Sequence, residues 1–273
     1  MSVSECKNII TMIRKSIRDD IKSGRKENNN YRIHASGVYD FCAYRLYIAN
    51  KLKVNYSPEQ PLDTGRAFTF KLGRKIQDII TDSIISYAPE YVLGNFKCNY
   101  CGYSIISTAD NCTCKECSKT MVYDEIVLEY NIPNTKYFIS GSVDCFIAGS
   151  EMFTPVEIKG LRQEDFIGEP IFKYEIQAGI YSWLVNKSTT IKELENKGFK
   201  FNKEGSLLLY VAKQHNQNPI RGFFVKRNKT VVNMLNKLIQ DIIDLEAGAP
   251  KKVCNSKASI LAKSCPFKKE CWG

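Results

Sequence analysis

Apolar positions along this chain recur with two different periods, and the changes of period divide it into helices and strands. Between Ser4 and about Lys22, Ile9, Ile10, Ile13, Ile17 and Ile21 fall at helical spacing. The polar run Gly24 to Asn30 that follows predicts a loop. Helical spacing returns near 36–50 and 64–87, and strand-like runs follow near 122–131, 137–147 and 153–159. A helix over 169–185, strands near 206–213 and 220–226, and a helix near 229–247 complete the order. Such mixing of helices and strands predicts an α/β domain with a mixed central sheet flanked by helices. No internal repeat or coiled coil interrupts it.

Three short strings bring chemistry to this pattern: Gly141-Ser-Val-Asp144, Pro155-Val-Glu157-Ile-Lys159 and Gln177-Ala-Gly-Ile-Tyr181. The first two lie in successive strand-like runs joined by a turn at Gly149-Ser150, and a hairpin of that length sets Asp144 beside Glu157. Residues two apart in a strand share a face, so Glu157 and Lys159 point together while Ile158 points into the core. Magnesium or manganese suits such a pair, because both ions take hard oxygen ligands and keep several waters. An ion held there would polarise a phosphate and activate water, with Lys159 placing that water or steadying the developing charge. Glu-x-Lys alone is ordinary amphipathic alternation; the flanking strings make it a candidate site. Gln177 and Tyr181 stand four apart on the 169–185 helix and share a face, with Pro170 in its first turn.

Eleven cysteines form the second body of evidence. The N-terminus lacks the apolar core of a signal peptide and no run is long enough to span a bilayer, so the expected location is the cytoplasm, or a host cytoplasm for a viral chain. Clustered thiols there serve metals rather than disulfides. Cys98-x-x-Cys101 and Cys114-x-x-Cys117, twelve residues apart, predict a zinc ribbon whose four sulfurs leave no open position for substrate. Cys112 is an alternative ligand in poorer knuckle register. Cys254, Cys265 and Cys271 close the chain and need a fourth partner, for which Cys42 is the candidate. Cys6 reads as a free N-terminal thiol and Cys145 as a small core residue.

A hydrophobic content of 44% fits a globular chain, and a net charge of +10 with a pI near 9.0 favours a polyanionic partner. Candidate phosphate contacts are Arg66, Lys71, Arg74, Lys75, Arg162 and the run Lys226-Arg227-Asn228-Lys229. Phe68, Phe70 and Phe166 are placed to stack bases, although core packing is the expected role of each. His34 and His215, the only histidines, read as surface or loop residues.

Together these strings resemble the PD-(D/E)xK nucleases, and specifically their RecB-type exonuclease branch. The resemblance implies a restriction-endonuclease-like core in which Asp144, Glu157, Lys159, Gln177 and Tyr181 are site residues, the first two holding Mg2+ or Mn2+. Gln77, in Leu72-Gly73-Arg74-Lys75-Ile76-Gln77, stands where that family carries a metal-binding histidine; its amide oxygen is a neutral, weaker partner. Residues 36–48 resemble the family's opening helix. Cys42 with Cys254, Cys265 and Cys271 is similar to the iron–sulfur staple of AddB-type and CRISPR-associated RecB-like nucleases, which implies a 4Fe-4S cluster. Cys265 and Cys271 keep the family's five-residue gap, but position 262 is Ala and Cys254 lies eight residues further upstream, so a second zinc and a partly disordered tail are the competing expectations.

The implied organisation is an N-terminal helix and loop (1–30), a nuclease core (31–93 and 122–250), a zinc-ribbon insertion (94–121), and a cysteine segment (251–273) packing with Cys42. The implied activity is that of a metal-dependent deoxyribonuclease, an exonuclease on linear or single-stranded DNA ends. Its setting would be replication, recombination, repair or CRISPR adaptation, with a helicase or other replication protein as partner and no membrane. The opposing expectation, raised by Gln77, is a catalytically impaired DNA-binding accessory protein that keeps the fold and metal centres as scaffold.

Overall fold

The computed structural model describes residues 31–56, 64–149, 151–162, 168–213, 218–248 and 250–273, together with 11, 12 and 15. The expected helix over 4–22, the loop at 24–30, Cys6, Ser150, Phe166, His215 and the side chain of Arg66 lie outside them. The chain forms two compact units, one from residues 1–30, 42–76 and 252–273, the other from 31–41 and 77–251.

Among the described residues all ten strands belong to the second unit. They are β1 (Arg32–His34), β2 (Val92–Lys97), β3 (Ser104–Thr108), β4 (Val122–Asp124), β5 (Ile126–Asn131), β6 (Phe138–Val143), β7 (Cys145–Ala148), β8 (Phe153–Leu161), β9 (Gly205–Ala212) and β10 (Ile220–Lys226). A seven-stranded sheet runs β10-β9-β8-β7-β2-β3, with β4 also paired to β2; a three-stranded sheet runs β1-β6-β5. The large sheet is mixed: β8 and β9 are parallel, and its other pairs are antiparallel. The fold is thus the expected mixed sheet with helices against it.

The expected strands at 122–131 and 137–147 each prove to be two. They break at Glu125 and Asp144, which face each other, since Ile126 pairs with Val143. β4 lies against Asn95 to Lys97 of β2, and β7 continues along the same edge against Leu93 and Val92. The β5–β6 hairpin is therefore an excursion from that edge, with Asp144 at its neck. Residues 94–97, expected to open the ribbon insertion, are part of β2 and tie that insertion into the sheet.

β8 is buried along most of its length because it has β7 on one side and β9 on the other, so its apolar run does not alternate. The crossover from β8 to β9 carries two helices, Phe172–Lys187 and Thr189–Asn196. The first is buried from Ile176 through Val185 and packs against both sheets. It begins at Phe172 rather than at 169, so Pro170 precedes the helix instead of opening it. A cluster of Leu161, Ala178, Leu208, Tyr210 and Val225 fills the space between this helix and the sheet. The helix Lys229–Glu246 completes the unit, and Gly179 admits its Val231 at a distance where a Cβ would collide.

The described part of the first unit is helical, with Ala43–Leu52, the opening turns of Thr64–Tyr87, Ile260–Lys263 and Lys268–Trp272. In chain order the helices are α1 (Ala43–Leu52), α2 (Thr64–Tyr87), α3 (Phe172–Lys187), α4 (Thr189–Asn196), α5 (Lys229–Glu246), α6 (Ile260–Lys263) and α7 (Lys268–Trp272). The single helix expected near 36–50 is not continuous: a short 3-10 turn at Ala35–Gly37 ends, and α1 starts only after Cys42, which is extended. Gly37, Val38 and Asp40 are weak helix formers, which accounts for the gap. Among the described residues no helix is long and apolar enough to cross a membrane.

Candidate active site and metal centres

Asp144, Glu157 and Lys159 converge as their spacing predicts. Asp144 is 6% exposed and Glu157 1%. One Asp144 carboxylate oxygen accepts a hydrogen bond from the Ile158 amide at 2.6 Å, which fixes it beside the next strand. The other accepts from the Gln77 side-chain amide at 3.1 Å. Lys159 forms an ion pair with Glu157 Oε1, while Glu157 Oε2 has no hydrogen-bond partner among the described residues. Burial, then the neighbouring Glu157 charge, pushes the Asp144 carboxyl well above its usual range despite the Ile158 amide. For Lys159, burial works downward but Glu157 outweighs it, and the ammonium is held more firmly than usual.

Gln177 and Tyr181 complete this group from α3. The Gln177 amide donates to the Tyr181 hydroxyl at 2.8 Å, and that hydroxyl donates to the Ser142 carbonyl at 2.9 Å, two residues before Asp144. Gly141 makes this possible, because a Cβ there would lie 2.6 Å from the Tyr181 ring. The glycine of the first string is thus explained by the tyrosine of the third.

Sequence reasoning missed three tyrosines. The Lys159 ammonium lies 5.3 Å from the centre of the Tyr174 ring, which packs edge-on against Tyr210 at 6.2 Å. The Tyr210 hydroxyl accepts from the Ile171 amide at 2.7 Å, ahead of α3. Tyr174, Gln177 and Tyr181 are spaced i, i+3, i+7, a helical signal that was available. Tyr123 on β4 donates its hydroxyl to the backbone carbonyl of Asp144; nothing local in the sequence marks it.

Cys98, Cys101, Cys114 and Cys117 form a metal-binding set, with sulfurs all within 4.8 Å of one another. Cys98 and Cys117 are 3.4 Å apart, and Cys101 and Cys114 3.5 Å. Both knuckles close alike: Gly102 donates to the Cys98 carbonyl and Ser118 to that of Cys114, each from a left-handed conformation. The amides of Cys101 and Tyr100 lower the Cys98 thiol to about 6, while against the Tyr103 and Lys119 amides hydrogen bonds among the sulfurs raise the Cys101 thiol and push that of Cys117 up to about 12. Cys112 stands outside the set; its carbonyl instead accepts from Met121.

Cys42, Cys254, Cys265 and Cys271 line one cavity in the helical unit, with Tyr44, Arg45, Lys252 and Trp272. They do not form a set as tight as the ribbon's. Tyr56 accepts hydrogen bonds from the Cys42 amide at 3.1 Å and from Arg45 at 2.8 Å. Lys252 sits over the rings of Tyr44 and Trp272.

Other expectations fall differently. Phe68 and Phe70, expected in the core, are 57% and 58% exposed along α2. Lys71, Arg74 and Lys75 are exposed on the same helix, as are Arg162, Lys226 and Arg227 elsewhere. His34 is exposed at the end of β1, its ring 3.2 Å from the Ser36 hydroxyl. Cys145 is buried, and burial raises its thiol far beyond its usual range.

No protein-family model matches the sequence, and no curated protein matches it. Among solved structures, SSO0001 is similar at 18% identity and a TM-score of 0.47, covering 95% of this chain and 97% of its own. An alkaline exonuclease from Laribacter hongkongensis is similar at 13% identity and a TM-score of 0.44, covering 80% of this chain and 89% of its own.

Proposed function

We propose that this protein is a divalent-metal-dependent deoxyribonuclease, an exonuclease acting on linear or single-stranded DNA ends. One observation carries the reading: two buried carboxylates and a lysine converge, and one carboxylate oxygen, Glu157 Oε2, is left without a donor. Two buried carboxylates set against one lysine leave uncompensated negative charge, which is costly, and a hard cation is the partner it fits. Asp144 and Glu157 would hold magnesium or manganese, which when bound supplies Lewis acidity to a phosphate and its attacking water. The resemblance of the three strings to PD-(D/E)xK nucleases supports phosphodiester hydrolysis as the reaction.

The chain's own residues would divide the work. Ile158 N–H and Gln77 hold the Asp144 carboxylate in one orientation. Lys159, tethered to Glu157 and faced by Tyr174, places a cation where the phosphorane charge would develop. Tyr181 and Gln177 brace β6, the strand that leads into Asp144. The charge of +10 favours a nucleic acid, with Lys71, Arg74, Lys75 and Arg162 as phosphate contacts and exposed Phe68 and Phe70 as stacking surfaces for unpaired bases.

The ribbon cysteines fit structural zinc, since four sulfurs satisfy a tetrahedron. The second cysteine group fits a 4Fe-4S cluster, whose cubane is larger than one ion and needs more widely set thiolates. A helicase or other replication or recombination protein in the cytoplasm is the working partner we propose.

Purified protein incubated with end-labelled linear DNA, covalently closed circular DNA and RNA, in magnesium and then manganese, tests the reading. Cleavage of linear DNA is expected, with at least a hundredfold loss in Asp144→Ala. Equal cleavage of closed circles would refute the exonuclease assignment. A second reading, a DNA-binding accessory protein without cleavage, is favoured by Gln77, whose amide nitrogen already occupies an Asp144 oxygen. Tight DNA binding without cleavage in either metal would establish that reading instead.

A further inference from the structure

The zinc ribbon joins the candidate active site through one side chain. β4 directly follows the second knuckle and has only three residues, paired to β2 alone. β2 runs directly into Cys98, so β4, which carries Tyr123, and its partner β2 are the strands that leave and re-enter the cysteine loop. Tyr123 pairs with Phe96, whose ring meets it edge-on at 5.6 Å. Beneath it is Gly94, where a Cβ would come within 2.1 Å of the Tyr123 ring; no other residue leaves room. From this seat the Tyr123 hydroxyl donates to the carbonyl of Asp144.

That carbonyl is at the neck of the β5–β6 excursion, between strands of two different sheets. A buried carbonyl without a partner is costly, so the phenol stabilises the bend that aims the Asp144 carboxylate at the Ile158 amide. A strand of three residues has little stability of its own. Its register, Phe96 against Tyr123 and Lys97 against Val122, is set beside the knuckles that metal would close.

We infer that Tyr123 is a positioning residue for Asp144, and that zinc in the Cys98-Cys101-Cys114-Cys117 ribbon keeps it in place. The ribbon is then a support for the candidate site rather than an appendage. The role in catalysis rests on the nuclease reading; the positioning of Asp144 does not.

The test compares full-length wild type, Tyr123→Phe, Cys117→Ser and the double variant. Exchange of the Ile158 amide, measured by NMR, reports whether the Asp144 carboxylate still accepts its hydrogen bond, independently of activity or added metal. Manganese binding, measured by electron paramagnetic resonance on zinc-assayed protein, reports the consequence. Tyr123→Phe keeps the ring and the packing, and its melting temperature checks that the fold is retained. Ile158 exchange is expected to accelerate about tenfold in Tyr123→Phe and in zinc-depleted Cys117→Ser, with no further acceleration in the double variant, because both changes act through one contact. Manganese affinity is expected to fall about fivefold to tenfold in each single variant. Unchanged Ile158 exchange in Tyr123→Phe, or independent multiplicative effects in the double variant, would overturn the inference. If wild type binds no manganese and cuts no DNA, the nuclease reading fails, while Ile158 exchange still decides the positioning role.

Discussion

Asp144 carries opposing demands at the scale of a single residue. Burial and the Glu157 charge raise its folded-state pKa, while function as a metal ligand needs it ionised. A raised acid contributes stability that is present below the ordinary carboxylate value and is lost as pH rises through the folded value. Without added divalent ion, the protein should therefore lose stability between acid and neutral pH on account of this group. Asp144→Asn removes the charge and keeps an acceptor for Ile158, and rotation of the Gln77 amide lets its oxygen accept from the new side-chain nitrogen, so at neutral pH it should be more stable than wild type, by about 1 kcal/mol, while losing cleavage. Denaturant melts at pH 5 and pH 8, with zinc retained, check this: the advantage of the variant should be larger at pH 8. A variant less stable than wild type at pH 8 would mean that Asp144 is compensated within the protein itself.

Elements explain what the sequence could and could not reveal. The three strings were legible because each is a local pattern: two residues along a strand for Glu157 and Lys159, four along a helix for Gln177 and Tyr181. The ends of α2 and α5 followed the apolar period almost to the residue for the same reason. The breaks at Glu125 and Asp144 were not legible, since each stretch reads as one continuous strand-like run and the change of sheet is decided by pairing with β2, far away in sequence. Tyr123 was hidden by the same cause. Gly141 shows how elements interlock: Tyr181 of α3 lies over β6 only where a side chain is missing. Gly141→Ala should displace that ring and cost about 1–3 kcal/mol, read by chemical denaturation. Tyr181→Ala combined with it should relieve most of the clash, so the two losses should not add. Strict additivity would indicate that the ring and the strand do not touch.

At the scale of the whole molecule, two cysteine groups belong to two different compact units, and under the proposed function they would hold different inorganic groups. The ribbon sulfurs, with pairs at 3.4 and 3.5 Å, are close to the edges of about 3.8 Å that Zn–S bonds of about 2.3 Å impose. Cys42, Cys254, Cys265 and Cys271 share a cavity but not that tight spacing, and cations lie beside them: Arg45 lines the cavity, and Lys252 is held by two aromatic rings. The 4Fe-4S cluster proposed for this group is larger than one ion and with four thiolates carries net negative charge, for which these cations would be counter-charges. Since each group lies within its own unit, loss of one metal should leave the other in place. Cys42→Ser in anaerobically prepared protein is therefore expected to lose iron, sulfide and visible absorption while retaining one zinc. Cys98→Ser should lose zinc and keep the iron chromophore. Elemental analysis of both variants reads this directly, and wild-type protein that contains two zincs and no iron would make the second group another zinc site. Loss of both metals in both variants would instead show that the two units fold as one.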